Sequence, residues 1–103
     1  MTQLTSEQVK EKIKNNESFV LDLFATWCGP CRVLMGNLSN LEKSHNDLPM
    51  SIYTLDIDTD RDFVMELGIR SVPTLKVYKE GKEVFSNVGV MSQPQLLEVM
   101  NKY

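Results

Sequence analysis

The sequence predicts an α/β domain in which helices cover both faces of a mixed sheet of four to five strands. Three observations predict this class. The segment from 19 to 25 is apolar on both of its alternating faces, as in a strand that is covered on both sides. Helical and extended patterns alternate along the chain, which indicates parallel crossovers. Two extended segments then flank Glu80-Gly81, and this hairpin signal adds an antiparallel edge.

The first helix is predicted from its N-terminal signal. Thr5 and Gln8 form a capping box, so a helix is expected to follow and to run to about Asn15. Residues 1 to 4 are expected to add a short edge strand before it. The buried strand then covers Phe19 to Ala25, and its apolar pattern is interrupted only by Asp22.

The remaining elements follow from spacing and caps. A second helix is expected after Cys31, a strand from Met50 to Ile57, and a third helix that Asp58 or Thr59 caps and Gly68 ends. The hairpin strands come next. Ser92 with Gln95 then opens a last helix, with a proline in its first turn.

Length and charge limit the possible functions. The chain has 103 residues, enough for one domain (1–103) with its own hydrophobic core. Its net charge of -3 gives no reason to expect nucleic acid or an anionic membrane as a partner. No apolar run is long enough to span a bilayer, and the N-terminal residues lack the pattern of a secretory signal. A reducing cytoplasm is the expected location.

The only two cysteines lie in the pentapeptide Trp27-Cys28-Gly29-Pro30-Cys31. If a helix starts at this motif, Cys28 lies at its first turn, where unpaired N–H groups and the helix dipole favour a thiolate. Cys31 then lies one turn further on the same face. We therefore expect Cys28 to be the exposed nucleophile and Cys31 to be the sheltered resolving thiol.

A purely structural or metal-binding role of the two cysteines is less consistent with the sequence. A structural disulfide closing so short a loop removes little chain entropy. Beyond the cysteines only His45 and carboxylates remain as zinc ligands, and haem attachment requires a histidine where Arg32 stands. A Cys–His pair is also disfavoured, because His45 lies about 20 Å further along the second helix. The alternating aspartates at 56–62 lack the glycine and glutamate of a calcium loop, so no metal site is expected.

Asp22 is an unusual residue within an apolar strand. A carboxylate buried without a partner is costly and its pKa should rise, which is typical of a proton-transfer group. The alternative is a strand residue whose carboxyl group reaches solvent or a backbone donor.

Several segments together resemble the thioredoxin family. In chain order they are Phe19-Val20-Leu21-Asp22, Trp27–Cys31, Gly68–Thr74, Lys79–Lys82 and Val88-Gly89. They occur in the same order as in the family and extend over nearly the whole chain. The Gly29-Pro30 pair between the cysteines is the version typical of disulfide reductases, because relatives that oxidise or isomerise disulfides usually carry other residues there. The resemblance thus implies a thioredoxin fold and a general protein-disulfide reductase.

The resemblance also implies roles for individual residues. Cys28 and Cys31 match the redox pair, and Asp22 matches a buried acid that accepts the proton of the resolving cysteine. Val72-Pro73 matches a loop whose peptide bond is cis. Around the sulfur, an apolar substrate-binding surface is expected from Trp27, Gly29, Pro30, Val72, Pro73 and Gly89.

The partners implied by the resemblance are an NADPH-dependent thioredoxin reductase and client proteins that contain disulfides. No bound cofactor is expected, since the cysteine pair carries the electrons, and the protein is expected to act as a monomer. Oxidase or isomerase activity is one alternative. The other is a binding or chaperone subunit of the same fold whose cysteines are incidental.

The chain departs from the family pattern at three positions. Phe24 replaces a frequent tryptophan, Gly36 replaces a helix-kinking proline, and Thr54 stands where many bacterial members place a lysine beside the buried acid. These departures leave the reaction intact but bear on how the buried acid is tuned.

Overall fold

The computed structural model describes all of residues 1–103. The helices and strands alternate much as predicted, and the strands form one five-stranded sheet in the order β1-β3-β2-β4-β5. In chain order the elements are β1 (Thr2–Gln3), α1 (Ser6–Lys14), β2 (Phe19–Phe24), α2 (Gly29–Ser44), β3 (Ser51–Asp56), α3 (Arg61–Glu66), β4 (Thr74–Lys79), β5 (Lys82–Val88) and α4 (Gln93–Lys102).

The sheet is mixed, as the sequence predicts. Strand β3 runs parallel to both β1 and β2, whereas β4 pairs antiparallel with β2 and with β5. The β4–β5 turn at Glu80 and Gly81 has positive φ at both residues (52° and 80°), which matches the twist that a tight hairpin requires. Strand β2 therefore lies at the centre of the sheet, where every one of its side chains is buried.

The two faces of β2 pack against different helices. On one face Val20 belongs to the largest apolar cluster, together with side chains of α2 and α4. On the other face Leu21 and Leu23 pack with Val9 of α1 and Phe63 of α3. The helices thus cover both faces of the sheet, and α2 with α4 covers the face on which Asp22 lies, since side chains alternate along a strand.

Both predicted capping boxes are present. The side chain of Thr5 accepts a hydrogen bond from the Gln8 N–H, and Ser92 accepts one from the Gln95 N–H. The N-terminal edge strand also forms, as two residues beside β3. Helix α2 begins at Gly29, within the cysteine motif rather than after it.

The predicted cap of the third helix is wrong. The N-cap is Asp60, whose side chain accepts a hydrogen bond from the Phe63 N–H, rather than Asp58 or Thr59. A hydrogen bond from Ser6 to the other oxygen of Asp60, 2.7 Å long, lowers the pKa of Asp60 and joins the start of α1 to the start of α3. Thr59 donates instead to the carbonyl of Asp56, so its hydroxyl serves the preceding turn.

None of the four helices combines the length and the hydropathy that crossing a membrane would require.

Candidate active site

The two cysteines form a disulfide at the start of α2, with their Cα atoms 5.3 Å apart. Cys28 is the N-cap residue, and its Sγ accepts a hydrogen bond from the Cys31 N–H at 3.2 Å. Pro30 lies in the first turn of the helix, where its missing N–H costs no hydrogen bond. The arrangement thus directs a backbone donor of the helix N-terminus, the Cys31 N–H, at the Cys28 sulfur.

The two sulfur-bearing residues differ in exposure in the predicted order, but only slightly. Cys31 is fully buried, and Cys28 is 5% exposed. Both pack with Phe24 and Ala25, at the end of β2, and with Val72. In the disulfide form, Cys28 is therefore less exposed than the sequence suggests, because the loop that carries Val72 packs beside it.

The loop before β4 lies against the disulfide, and the Val72-Pro73 peptide bond is cis, as the resemblance implies. Pro73 is buried, and its carbonyl accepts a hydrogen bond from the Gly89 N–H at 2.9 Å. Gly89 has a φ of 102°, in the region that favours glycine. This hydrogen bond joins the loop after β5 to the loop that contacts the cysteines.

Trp27 is the most exposed aromatic residue near the site, with 68% of its surface accessible. Its indole Nε1 donates a hydrogen bond to Asp58 Oδ2 at 3.0 Å, across 31 positions of sequence. The sequence predicts Asp58 only as a possible cap of the third helix, so this role of Asp58 is not predicted. No pattern in the sequence places Asp58 beside Trp27, because the contact depends on how β2 and β3 pair.

Asp22 lies in the middle of β2, between Val20 and Phe24 on the face that α2 covers. It is fully buried, and neither of its carboxylate oxygens has a hydrogen-bond partner. Burial therefore raises the pKa of Asp22 to about 7, from an ordinary value of 3.8.

The neighbours of Asp22 across the sheet supply no charge that would offset its burial. Its partner on β3 is Thr54, which is buried, and its partner on β4 is Leu75. The resemblance to the family would suggest a lysine at position 54, and its ammonium group would place a positive charge next to this carboxylate. Because Thr54 carries no charge, desolvation dominates.

The site residues predicted from the sequence are thus assembled in one region. The disulfide lies at the start of α2, with Trp27, Gly29 and Pro30 exposed around it. Val72 packs against the disulfide, and Pro73 is hydrogen-bonded to Gly89. Asp22 lies on the face of the sheet that α2 covers, two residues before Phe24, which packs with the cysteines. Among all residues of the chain, no cluster of three or more metal-binding side chains occurs.

Comparisons with known proteins agree with this geometry. The family model described as Thioredoxin matches residues 1–102. A thioredoxin of Listeria monocytogenes is 34% identical over 104 residues, covering 100% of this chain and 95% of that protein. A thioredoxin of Bacillus subtilis is also 34% identical, covering 87% of this chain and 86% of its own length.

Solved structures give the same result for the fold. Chloroplastic thioredoxin z superposes with a TM-score of 0.86 at 26% identity, covering 99% of this chain and 92% of the other. Plasmodium falciparum thioredoxin superposes with a TM-score of 0.84 at 28% identity, covering 100% and 99%. The chain belongs to the thioredoxin family of protein-disulfide oxidoreductases.

Proposed function

We propose that this protein is a general protein-disulfide reductase, in which Cys28 attacks client disulfides and Cys31 resolves the product. The observation that carries the proposal is the position of the disulfide at the N-terminus of α2, where the Cys31 N–H donates to the Cys28 sulfur. The same donor and the helix dipole stabilise negative charge on that sulfur once the disulfide is reduced. Cys28 is therefore the better nucleophile of the two.

The proposed reaction consists of two thiol–disulfide exchange steps. In the first, the Cys28 thiolate forms a bond to one client sulfur, the client disulfide breaks, and the other client sulfur leaves as a thiolate. In the second, the Cys31 thiolate attacks the Cys28 sulfur, which regenerates the protein disulfide and releases the second client thiolate. The two electrons that reduce the client come from the cysteine pair, so no bound cofactor takes part.

Asp22 is suited to take the proton of Cys31 before the second step. A carboxyl group with a pKa of about 7 can exchange a proton with a thiol near neutral pH, which an ordinary aspartate does poorly. Its position on the α2 side of β2 supports this role, because Phe24, two residues further along the same face, packs with Cys31.

The residues around the disulfide, most of them at least partly exposed, are proposed to bind the client chain. Trp27, which Asp58 holds by a hydrogen bond, would contact client side chains, together with Gly29 and Pro30. Val72, Pro73 and Gly89 would supply backbone and apolar contacts on the opposite side of the sulfur. Gly29 and Pro30 lie between the cysteines and are also proposed to tune their redox potential.

Clients with disulfides are the partners that membership of this family implies. We further propose that an NADPH-dependent thioredoxin reductase returns the protein to its dithiol form. The protein would act as a monomer in the cytoplasm, where reduced thiols are maintained. The equilibrium of the cysteine pair with glutathione tests whether the protein acts as a reductase, because an oxidase or isomerase would have a less reducing potential.

The assignment of nucleophile and resolver is tested by trapping. Cys31→Ser is expected to accumulate covalent mixed disulfides with client proteins, since no thiol remains to release them. Cys28→Ser is expected to trap none, and the doubly substituted variant serves as the control for non-covalent capture. Equal trapping by the two single variants would contradict the assignment. A biological activity of the protein that survives in the doubly substituted variant, which cannot reduce disulfides, would favour the binding or chaperone alternative.

A further inference from the structure

The loop between β5 and α4, residues 89 to 92, makes hydrogen bonds to two distant parts of the chain. On one side, the Gly89 N–H donates to the Pro73 carbonyl at 2.9 Å. On the other side, Nδ2 of Asn37 donates to the Met91 carbonyl, also at 2.9 Å and across 54 positions of sequence. This loop therefore has one hydrogen bond to the loop before β4 and one to helix α2.

Asn37 supplies the only hydrogen bond to the Met91 carbonyl. No backbone N–H of a turn, loop or cap donates a hydrogen bond to that oxygen. Met91 as a whole residue is only 6% exposed, with its side chain in the cluster beneath α2 and α4, so little of its carbonyl is open to water. A buried acceptor without a donor is costly, and Asn37 therefore selects one position of the loop relative to α2.

The helix that carries Asn37 is the one that begins at the disulfide. Asn37 lies six residues after Cys31, about 9 Å along the axis, so it does not contact the reacting sulfurs. Its hydrogen bond nevertheless fixes the distance between α2 and the loop that carries Gly89 and Val90. Val88 and Val90 on either side of Gly89 are 62% and 44% exposed, so they are available to a client chain.

We propose that Asn37 is a positioning residue for protein substrates: it holds the 89–92 loop against α2, so that this loop is ordered before a client binds. The inference rests on the proposed reductase function and specifies which residue prepares the surface beside the disulfide. Without the hydrogen bond, the client has to order the loop on binding, which weakens binding without changing the chemistry of the cysteines. A small disulfide that does not reach the loop is unaffected.

Two substitutions remove the hydrogen bond in different ways. Asn37→Asp keeps the shape of the side chain but replaces the donor by an acceptor that repels the Met91 carbonyl. Asn37→Leu keeps a similar volume without any polar group. Asn40→Asp is the matched control, because Asn40 is an exposed residue of the same helix, and its side chain makes no hydrogen bond. Val9→Ala, in the core on the opposite face of the sheet, controls for lost stability alone.

The assay mixes the fully reduced protein with insulin as the protein disulfide or with oxidised glutathione as the small one. Both Asn37 variants are expected to raise the half-saturating insulin concentration about five-fold, the factor that corresponds to one ordinary hydrogen bond. The limiting rate with insulin and the rate constant with glutathione should stay at wild-type values. Asn40→Asp and Val9→Ala should match wild type in all three quantities.

The possible failures are distinguishable. Unchanged insulin saturation in both Asn37 variants would overturn the role of Asn37 and leave the reductase proposal intact. An equal loss with both disulfides, or the same loss in Val9→Ala, would show a general structural effect and would also overturn it. Wild-type protein that reduces neither disulfide would refute the proposed function itself.

Discussion

Replacement of the buried acid Asp22 is expected to stabilise the oxidised protein at neutral and higher pH while slowing disulfide reduction. Asp22 is fully buried with two unpartnered oxygens, and burial raises its pKa to about 7. In the unfolded chain the same group has the ordinary value of 3.8. Folding therefore opposes ionisation of Asp22, and this opposition makes stability depend on pH.

The sign and the size follow from the two pKa values. Below the unfolded pKa of 3.8 the carboxyl is neutral in both states, and its ionisation costs nothing. Between the two values, stability falls by about 1.4 kcal/mol per pH unit, because only the unfolded chain releases the proton. Above about pH 7 stability falls no further, and the total loss in the free energy of unfolding is about 4 kcal/mol.

Asp22→Asn keeps the shape of the side chain but cannot ionise. We expect it to match wild type at about pH 3 and to exceed it by up to about 4 kcal/mol at about pH 8. Asp22→Ala should show the same pH dependence of the difference, shifted by a constant because it also removes side-chain atoms from the core. In either variant the resolving step should slow, since the acceptor for the Cys31 proton is missing.

The measurement is urea unfolding of the disulfide form at several pH values, together with the insulin reduction rate. The disulfide form is preferred because bonded cysteines do not titrate and add no pH dependence. Asp47→Asn, an exposed loop aspartate, controls for the change in net charge. Asp22 variants that are less stable than wild type at about pH 8, with an unchanged rate, would show that Asp22 is a structural residue.

The remaining predictions concern stability and are tested by denaturant midpoints. Gly36→Ala should stabilise by about 0.5–1 kcal/mol, because the added Cβ meets nothing within 4 Å on the exposed side of α2; a loss of stability would contradict this. Gly81→Ala should destabilise by more than about 1 kcal/mol, because φ is 80° and the Cβ would come within 2.5 Å of the Ile13 carbonyl; a neutral result would mean that the hairpin moves freely away from α1. Glu83→Ala should cost about 1–3 kcal/mol, since it leaves the buried Lys76 ammonium with only Ser86 as a partner. The exposed Glu11→Ala should cost less than about 0.5 kcal/mol, and equal effects of the two glutamate variants would refute the importance of the Lys76 pair.

Local signals in the sequence suffice for most of the fold. The capping boxes at Thr5 and Ser92 and the glycine that ends α3 act between residues three or four positions apart, so they can be recognised without a structure. The apolar pattern of β2 likewise reports burial on both faces, whatever covers them. The Cys28–Cys31 pair needs only its short spacing and a helix start to form a disulfide.

Where several neighbouring residues are equally good helix caps, the sequence alone does not show which of them caps the helix. Asp58, Thr59 and Asp60 are all good N-caps, and the choice depends on contacts with distant parts of the chain. Asp58 accepts from Trp27, and Asp60 accepts from Ser6. These partners lie on other elements, which come together only once the sheet has formed.

The most informative features of the site depend on this tertiary assembly. The sequence shows that Asp22 is a charged residue type within an apolar strand. Only the pairing with Thr54 and Leu75 shows that neither cross-strand neighbour supplies a charge. The hydrogen bond from Asn37 to Met91 joins two segments with no common motif, so no pattern in the sequence indicates it. Local propensity acts over a few residues, whereas the chemistry of this site depends on which strands pair and on which helix covers them.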